Sequence, residues 1–213
     1  MKITIVADNP SSWIMPYIEQ LVQLLKKKKH KVDVVSSHRK ICYGDLALFL
    51  GCEQIAKPKI LARNAHNLVV HESALPKGRG MSPLTWQIIE GKNTIPITLF
   101  EITEGGIDSG DIYLQNTMKF EGHELVDELR EEQGKKTIDL ILKFVERHPN
   151  ISGQAQKSRA SYYKRRGPKD SELDPNKTIA EQFNFLRVVD NERYPAFFTY
   201  RGKKYFLHIY KKK

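Results

Sequence analysis

The chain has 213 residues, 40% of them hydrophobic and 28% charged, with a formal net charge of +10. That balance excludes collagen-like, mucin-like and largely disordered chains, and the length suits one large domain with a small appendage. The longest apolar runs, residues 46–50 and 68–70, fall far short of the ~18 residues that span a bilayer.

The chain enters an apolar, β-branched stretch at residues 2–7, with no signal-peptide pattern before it. Cys42 and Cys52 fit neither a disulfide framework nor a metal-ligand spacing. The expectation is a cytoplasmic protein with reduced thiols and no membrane partner. Turn-forming residues 8–12 follow the first strand and lead into a helix. Its apolar face carries Trp13, Ile14, Tyr17, Ile18, Leu21, Leu24 and Leu25, near a 3.6-residue period. Strands are predicted at 31–35, 46–50 and 67–71. Ser82 as N-cap and Pro83 as first helical residue open a helix that Gly91 stops. Residues 95–100 form another strand, 104–111 a glycine- and aspartate-rich loop, and 112–115 a short extended piece. A long amphipathic helix covers about 124–147, and Pro149 ends it.

This alternation predicts an α/β fold: a Rossmann-like, mostly parallel sheet with flanking helices over residues 1–150. Residues 151–213 form a small C-terminal α+β module. In it, 158–174 read as loop, and Thr178 with Glu181 form a capping box. Phe183, Leu186 and Val189 mark a helix face, and 197–210 a β-hairpin around Arg201-Gly202-Lys203. Positive charge gathers at Lys26 to Lys29 with Lys31, at Lys164, Arg165 and Arg166, and at Lys203, Lys204 and Lys211 to Lys213. Such clusters suit nucleic acid, an acidic membrane surface or small anionic substrates.

Two loops carry candidate chemistry. The strand ending at His71 is followed by a glycine-rich turn through Lys77, Gly78, Arg79 and Gly80. Ligands of open α/β sheets bind beyond the carboxyl ends of strands, and a histidine there can exchange a proton near neutral pH. The second loop holds Gly105, Gly106, Ile107, Asp108 and Asp111. Asp108 is placed to support imidazolium at His71. No Walker A sequence, complete dinucleotide fingerprint, Gly-x-Ser-x-Gly elbow or zinc spacing occurs, so no metal is expected.

The run His71-Glu72-Ser73-Ala74-Leu75-Pro76-Lys77-Gly78-Arg79-Gly80, with the later Asp108-Ser109-Gly110-Asp111, resembles the N10-formyltetrahydrofolate-dependent formyltransferases. Arg165 to Asp174 and Tyr194-Pro195-Ala196-Phe197 are similar to the module of sugar N-formyltransferases, especially those acting on UDP-4-amino-4,6-dideoxy-N-acetyl-altrosamine. The resemblance implies a formyl donor, N10-formyltetrahydrofolate, and an acceptor amine on a nucleotide-linked sugar, uridine rather than thymidine. It implies catalysis by His71 and Asp108. Folate contacts are implied for Gly51, Cys52, Glu53 and Met81, and for Glu104, Gly105, Gly106, Ile107 and Asp108. The family's catalytic Asn falls two residues before the His, where this chain has Val69. Asn67 lies roughly 13 Å from His71 along a strand and is a poor substitute.

For the nucleotide-sugar, the candidates are Asn9, Ser11, Ser12 and Trp13 at a helix N-terminus. Lys77, Gly78, Arg79 and Arg166 are candidates for the diphosphate, and Tyr163 or Phe197 for the base. A homodimer through the hairpin is expected. A methionyl-tRNA formyltransferase would need a longer C-terminal domain, and a glycinamide-ribonucleotide enzyme a glycine-rich phosphate loop. A basic nucleic-acid-binding module on the same scaffold is the alternative from another class.

Overall fold

The computed structural model describes residues 1–212, so Lys213 of the last basic cluster lies outside the described residues. The elements run β1 (Lys2–Val6), α1 (Met15–Lys27), β2 (Lys31–Val35), β3 (Gly44–Phe49), α2 (Pro58–Leu61) and β4 (Asn64–His71). Then follow β5 (Arg79–Gly80), α3 (Pro83–Ile89), β6 (Thr94–Glu101), β7 (Ile112–Lys119) and α4 (Val126–Arg147). The chain closes with β8 (Tyr162–Tyr163), α5 (Phe183–Arg187), β9 (Ala196–Tyr200) and β10 (Lys203–Leu207).

Six strands form one sheet in the order β2-β1-β3-β4-β6-β7. The first four are mutually parallel. Side chains alternate across the sheet, so Leu46 and Leu48 of β3 face one side while Ala47 and Phe49 face the other. The first side packs Ile18, Leu21 and Leu25 of α1 and Leu140, Ile141 and Phe144 of α4 into the main core. The second side is a smaller cluster of Val6, Ile41, Ala47, Phe49 and Ile60. No helix among the described residues is long and apolar enough to cross a membrane.

The α/β class and mostly parallel sheet match the sequence reading, with three local corrections. β6 and β7 run antiparallel to their neighbours, and β7 is eight residues long rather than a short extended piece. Its Gln115, Asn116 and Thr117 hide it from an apolar count, because an edge strand carries polar residues. Helix α1 starts at Met15, with Ile14 at the N-cap and no side-chain cap. Ser82 does not cap α3: it adopts a left-handed conformation, φ +55°, without a capping hydrogen bond.

Beyond α4 the chain returns to the main sheet. Ile112 and Gln154 exchange backbone hydrogen bonds, and β8 pairs in parallel with β5. Farther on, Thr178 and Glu181 cap one another reciprocally, ahead of the five-residue α5. Leu173, Leu186, Val189 and Ala196 form a third cluster against the antiparallel hairpin β9-β10.

Candidate active site

A cavity of about 760 Å³ opens at the carboxyl ends of the parallel strands. Its walls combine Phe49, Leu50, Val69, Phe100 and Ile102 with His71, Glu72 and Asp108. That size and mixture suit a bound organic ligand.

His71 ends β4 and is buried. Its Nε2 lies 2.7 Å from the Gly78 carbonyl. A carbonyl only accepts, so Nε2 carries the proton and the neutral ring keeps its lone pair on Nδ1. Asp108 Oδ2 lies 3.7 Å from the same Nε2, an ion-pair rather than a hydrogen-bond separation. The same oxygen accepts the Gly80 N–H at 2.8 Å. Gly78 thus sets the tautomer, and Asp108 supplies negative charge beside the ring. Two glycines allow close backbone packing around this pair. A Cβ at Gly80 would stand 2.3 Å from the Tyr163 carbonyl oxygen, and one at Gly110 only 1.8 Å from that of Glu101.

Gly51, Cys52, Met81, Glu104, Gly106, Ile107 and Asp108 all line this cavity. Gly105 does not, although it shares the loop, and Glu53 turns toward a second pocket. Asn67 is no replacement for the Asn absent at Val69: its side-chain amide donates to the Leu61 carbonyl.

The second pocket, about 290 Å³, shares Trp13, Met81 and Ser82 with the first. Arg130, Arg165, Arg166 and Arg193 line it with Tyr194. Arg130 is bound to Asp190 at 2.7 Å. Arg166 gives its terminal nitrogens to Val188, Asp170 and Ser171, and its buried Nε has no partner among the described residues. Of the acceptor candidates, only Trp13 and Arg166 line this pocket.

The others are engaged elsewhere. Asn9 holds Glu53 and the Ser11 amide. Ser11 and Ser12 precede α1 by several residues instead of sitting in its first turn. Lys77 is exposed away from both pockets. Arg79 binds Gln156 at 2.7 Å. Tyr163 donates to Glu90 and packs on Gly78. Phe197 is buried in the hairpin under Lys204 and is not free to stack on a base.

Two residues escaped sequence reasoning. Glu72 lines the main cavity, and its Oε1 accepts from Gln133 of α4 at 2.6 Å. Burial pushes its carboxyl above the usual carboxylate range. Its position next to His71 was the only available signal. Gln156 donates 2.8 Å hydrogen bonds to both the Asp108 and Gly110 carbonyls while accepting from Arg79. No local pattern marks it.

A family model described as formyl transferase matches residues 22–144. The chain is 29% identical over 172 residues to a methionyl-tRNA formyltransferase of Fervidobacterium nodosum, covering 81% of this chain and 50% of that one. The chain thus spans about half the length of this curated relative. Among solved structures, a methionyl-tRNA formyltransferase from Clostridium thermocellum superimposes with a TM-score of 0.83 at 22% identity, over 100% of this chain and 94% of that one. A 4-N formyltransferase from Francisella tularensis gives 0.75 at 20% identity, over 100% and 98%.

Proposed function

The chain belongs to the formyl transferase family, and on that premise we propose that it moves a formyl group from N10-formyltetrahydrofolate to the amine of a nucleotide-linked amino-deoxy sugar. The acceptor we favour is a UDP-4-amino-4,6-dideoxy-N-acetylhexosamine. The observation that carries the transfer is the pairing of His71 with Asp108 in one cavity at the strand ends.

The neutral amine attacks the formyl carbon, forming a new C–N bond. The amine proton passes to His71, through Nδ1 as its free lone pair, and Asp108 stabilises the imidazolium. The bond from carbon to N10 then breaks, and N10 takes up a proton. The products are a formamide and tetrahydrofolate. Little covalent chemistry falls to the protein, so positioning supplies much of the rate. Apolar Phe49, Leu50 and Ile102 offer a pteridine its faces, and the Glu104 to Asp108 loop offers backbone groups to its edge. Val69 donates nothing to an oxyanion, and losing one such donor costs ~10²–10³ in rate. Glu72 and Gln133 are the polar groups of the adjoining wall.

The arginine-lined pocket supports an acceptor that carries phosphate, joined to the main cavity at Trp13, Met81 and Ser82. A solved sugar N-formyltransferase from Shewanella shares the fold over 100% of this chain and 98% of that one, which supports a sugar. Exposed Tyr200, Tyr205 and Phe206 on the hairpin support a homodimer.

The test is a mass-spectrometric transfer assay with N10-formyltetrahydrofolate. UDP- and dTDP-linked 4-amino sugars are offered in parallel with methionyl-tRNA. A gain of one formyl group on a sugar is the expected result. Formylation of methionyl-tRNA alone would replace the sugar reading, and no product with any acceptor would overturn the transfer itself.

A further inference from the structure

Three side chains from separate segments converge beside β1, away from the His71 cluster. Asp8 follows β1, His38 opens a short 3₁₀ turn after β2, and Cys52 follows β3. One donor atom from each lies within 4.8 Å of the other two. The His38 side chain is 9% exposed and that of Asp8 2%.

His38 Nε2 is buried without a hydrogen-bond partner among the described residues. The Asp8 Oδ2 atom stands 3.4 Å from it. That is long for a hydrogen bond. It matches the ~3.4 Å edge of a tetrahedron whose metal–nitrogen and metal–oxygen bonds are ~2.1 Å.

The carboxylate is already held in place: Oδ1 accepts the Glu53 amide at 2.8 Å and Oδ2 the Gln54 amide at 3.0 Å. Each oxygen keeps a second lone pair. The Cys52 thiol donates to the Val6 carbonyl at 3.3 Å, and a coordinating cation would displace that proton.

We propose that Asp8, His38 and Cys52 form a three-ligand site for a divalent, borderline-soft cation, zinc above all. Cys52 places this site at the edge of the main cavity, which it also lines. The nitrogen, oxygen and sulfur donor set suits zinc and disfavours magnesium or calcium, which take oxygen ligands. The ligands come from three loops, so no short sequence spacing announces them. On binding, the S–H bond breaks, sulfur coordinates the ion, and one proton leaves to solvent. The ion would tie the ends of β1 and β3 to the turn after β2.

The experiment uses the full chain, stripped with a chelator, and cobalt(II) as a spectroscopic stand-in for zinc. One ion per chain is expected, with tetrahedral visible bands and a thiolate-to-metal charge-transfer band, displaced on adding zinc. Cys52→Ala removes the charge-transfer band, and His38→Gln weakens binding by about 100-fold or more. Cys42→Ser, at an exposed thiol, leaves both unchanged. The wild-type protein alone decides the main question: no charge-transfer band, or no stoichiometric binding, overturns the proposal. So does a band that persists in Cys52→Ala.

Discussion

Asp108 approaches His71 at the ring nitrogen whose proton already goes to Gly78, so the carboxylate stands by as a charge and not as the group that sets the tautomer. Replacing the ring and replacing the charge should therefore have different signatures. His71→Ala removes the proton acceptor and should lower kcat by ~10²–10⁴, the usual worth of a general base. Asp108→Asn keeps an oxygen to accept the Gly80 amide, so the loop holds while the imidazolium loses its counter-charge. Steady-state kinetics beside thermal unfolding checks both. Near-normal turnover in either folded variant would remove that residue from the mechanism.

Gln156 tests whether the charge must be held in place. Its amide clamps the Asp108 and Gly110 carbonyls. Gln156→Ala strands those acceptors and frees Arg79, at a cost of ~1–3 kcal/mol in stability. Because it acts through Asp108, kcat should fall while the folate KM changes little. Its effect should nearly vanish in the Asp108→Asn background. A double-mutant cycle that gives simple additivity would make Gln156 purely structural.

How legible these features were follows from their range along the chain. His71 and Asp108 could be singled out because each stands beside local signals, a strand end and a glycine-rich turn. The parallel half of the sheet was readable because β1 and β3 are buried along most of their length and β4 offers the apolar run Leu68 to Val70, although the polar first half of β4 gave no such signal. Edge strand β7 was not, since pairing rather than composition defines it. The partners of Arg79 and Tyr163 were hidden for another reason. A charge or ring in a loop is visible in sequence, but its partner, Gln156 or Glu90, is chosen by tertiary packing across dozens of residues.

Glu72 makes a pH prediction. Burial raises its folded pKa above the unfolded value, so between those two values the folded state binds more protons than the unfolded state. Stability is then fully present below the ordinary carboxylate range and falls as pH rises toward the folded value. Glu72→Gln removes that loss and keeps an acceptor for Gln133. The variant's Tm should equal that of the wild type near pH 4 and exceed it at neutral pH. A constant difference across the range would mean that Glu72 carries no such penalty.

Arg187 makes the sharpest stability prediction. It sits on α5 with 1% exposure and reaches across to the turn before α4. Its Nε donates to the Glu124 carbonyl at 3.0 Å, one terminal nitrogen to the Glu124 carboxylate at 2.9 Å, and the other to Asn93 at 2.9 Å. Glu124 also accepts the Glu121 and Gly122 amides, so removing the arginine leaves a carboxylate fixed and uncompensated. Breaking a buried pair from one side costs ~3–5 kcal/mol. Arg187→Ala should lower the urea midpoint accordingly, with little dependence on salt because the pair is shielded from solvent. Arg187→Lys should recover only part of the loss, since an ammonium cannot reproduce the planar fork. Full recovery with lysine would show that charge alone, and not the geometry of the fork, joins α5 to the main sheet's helices.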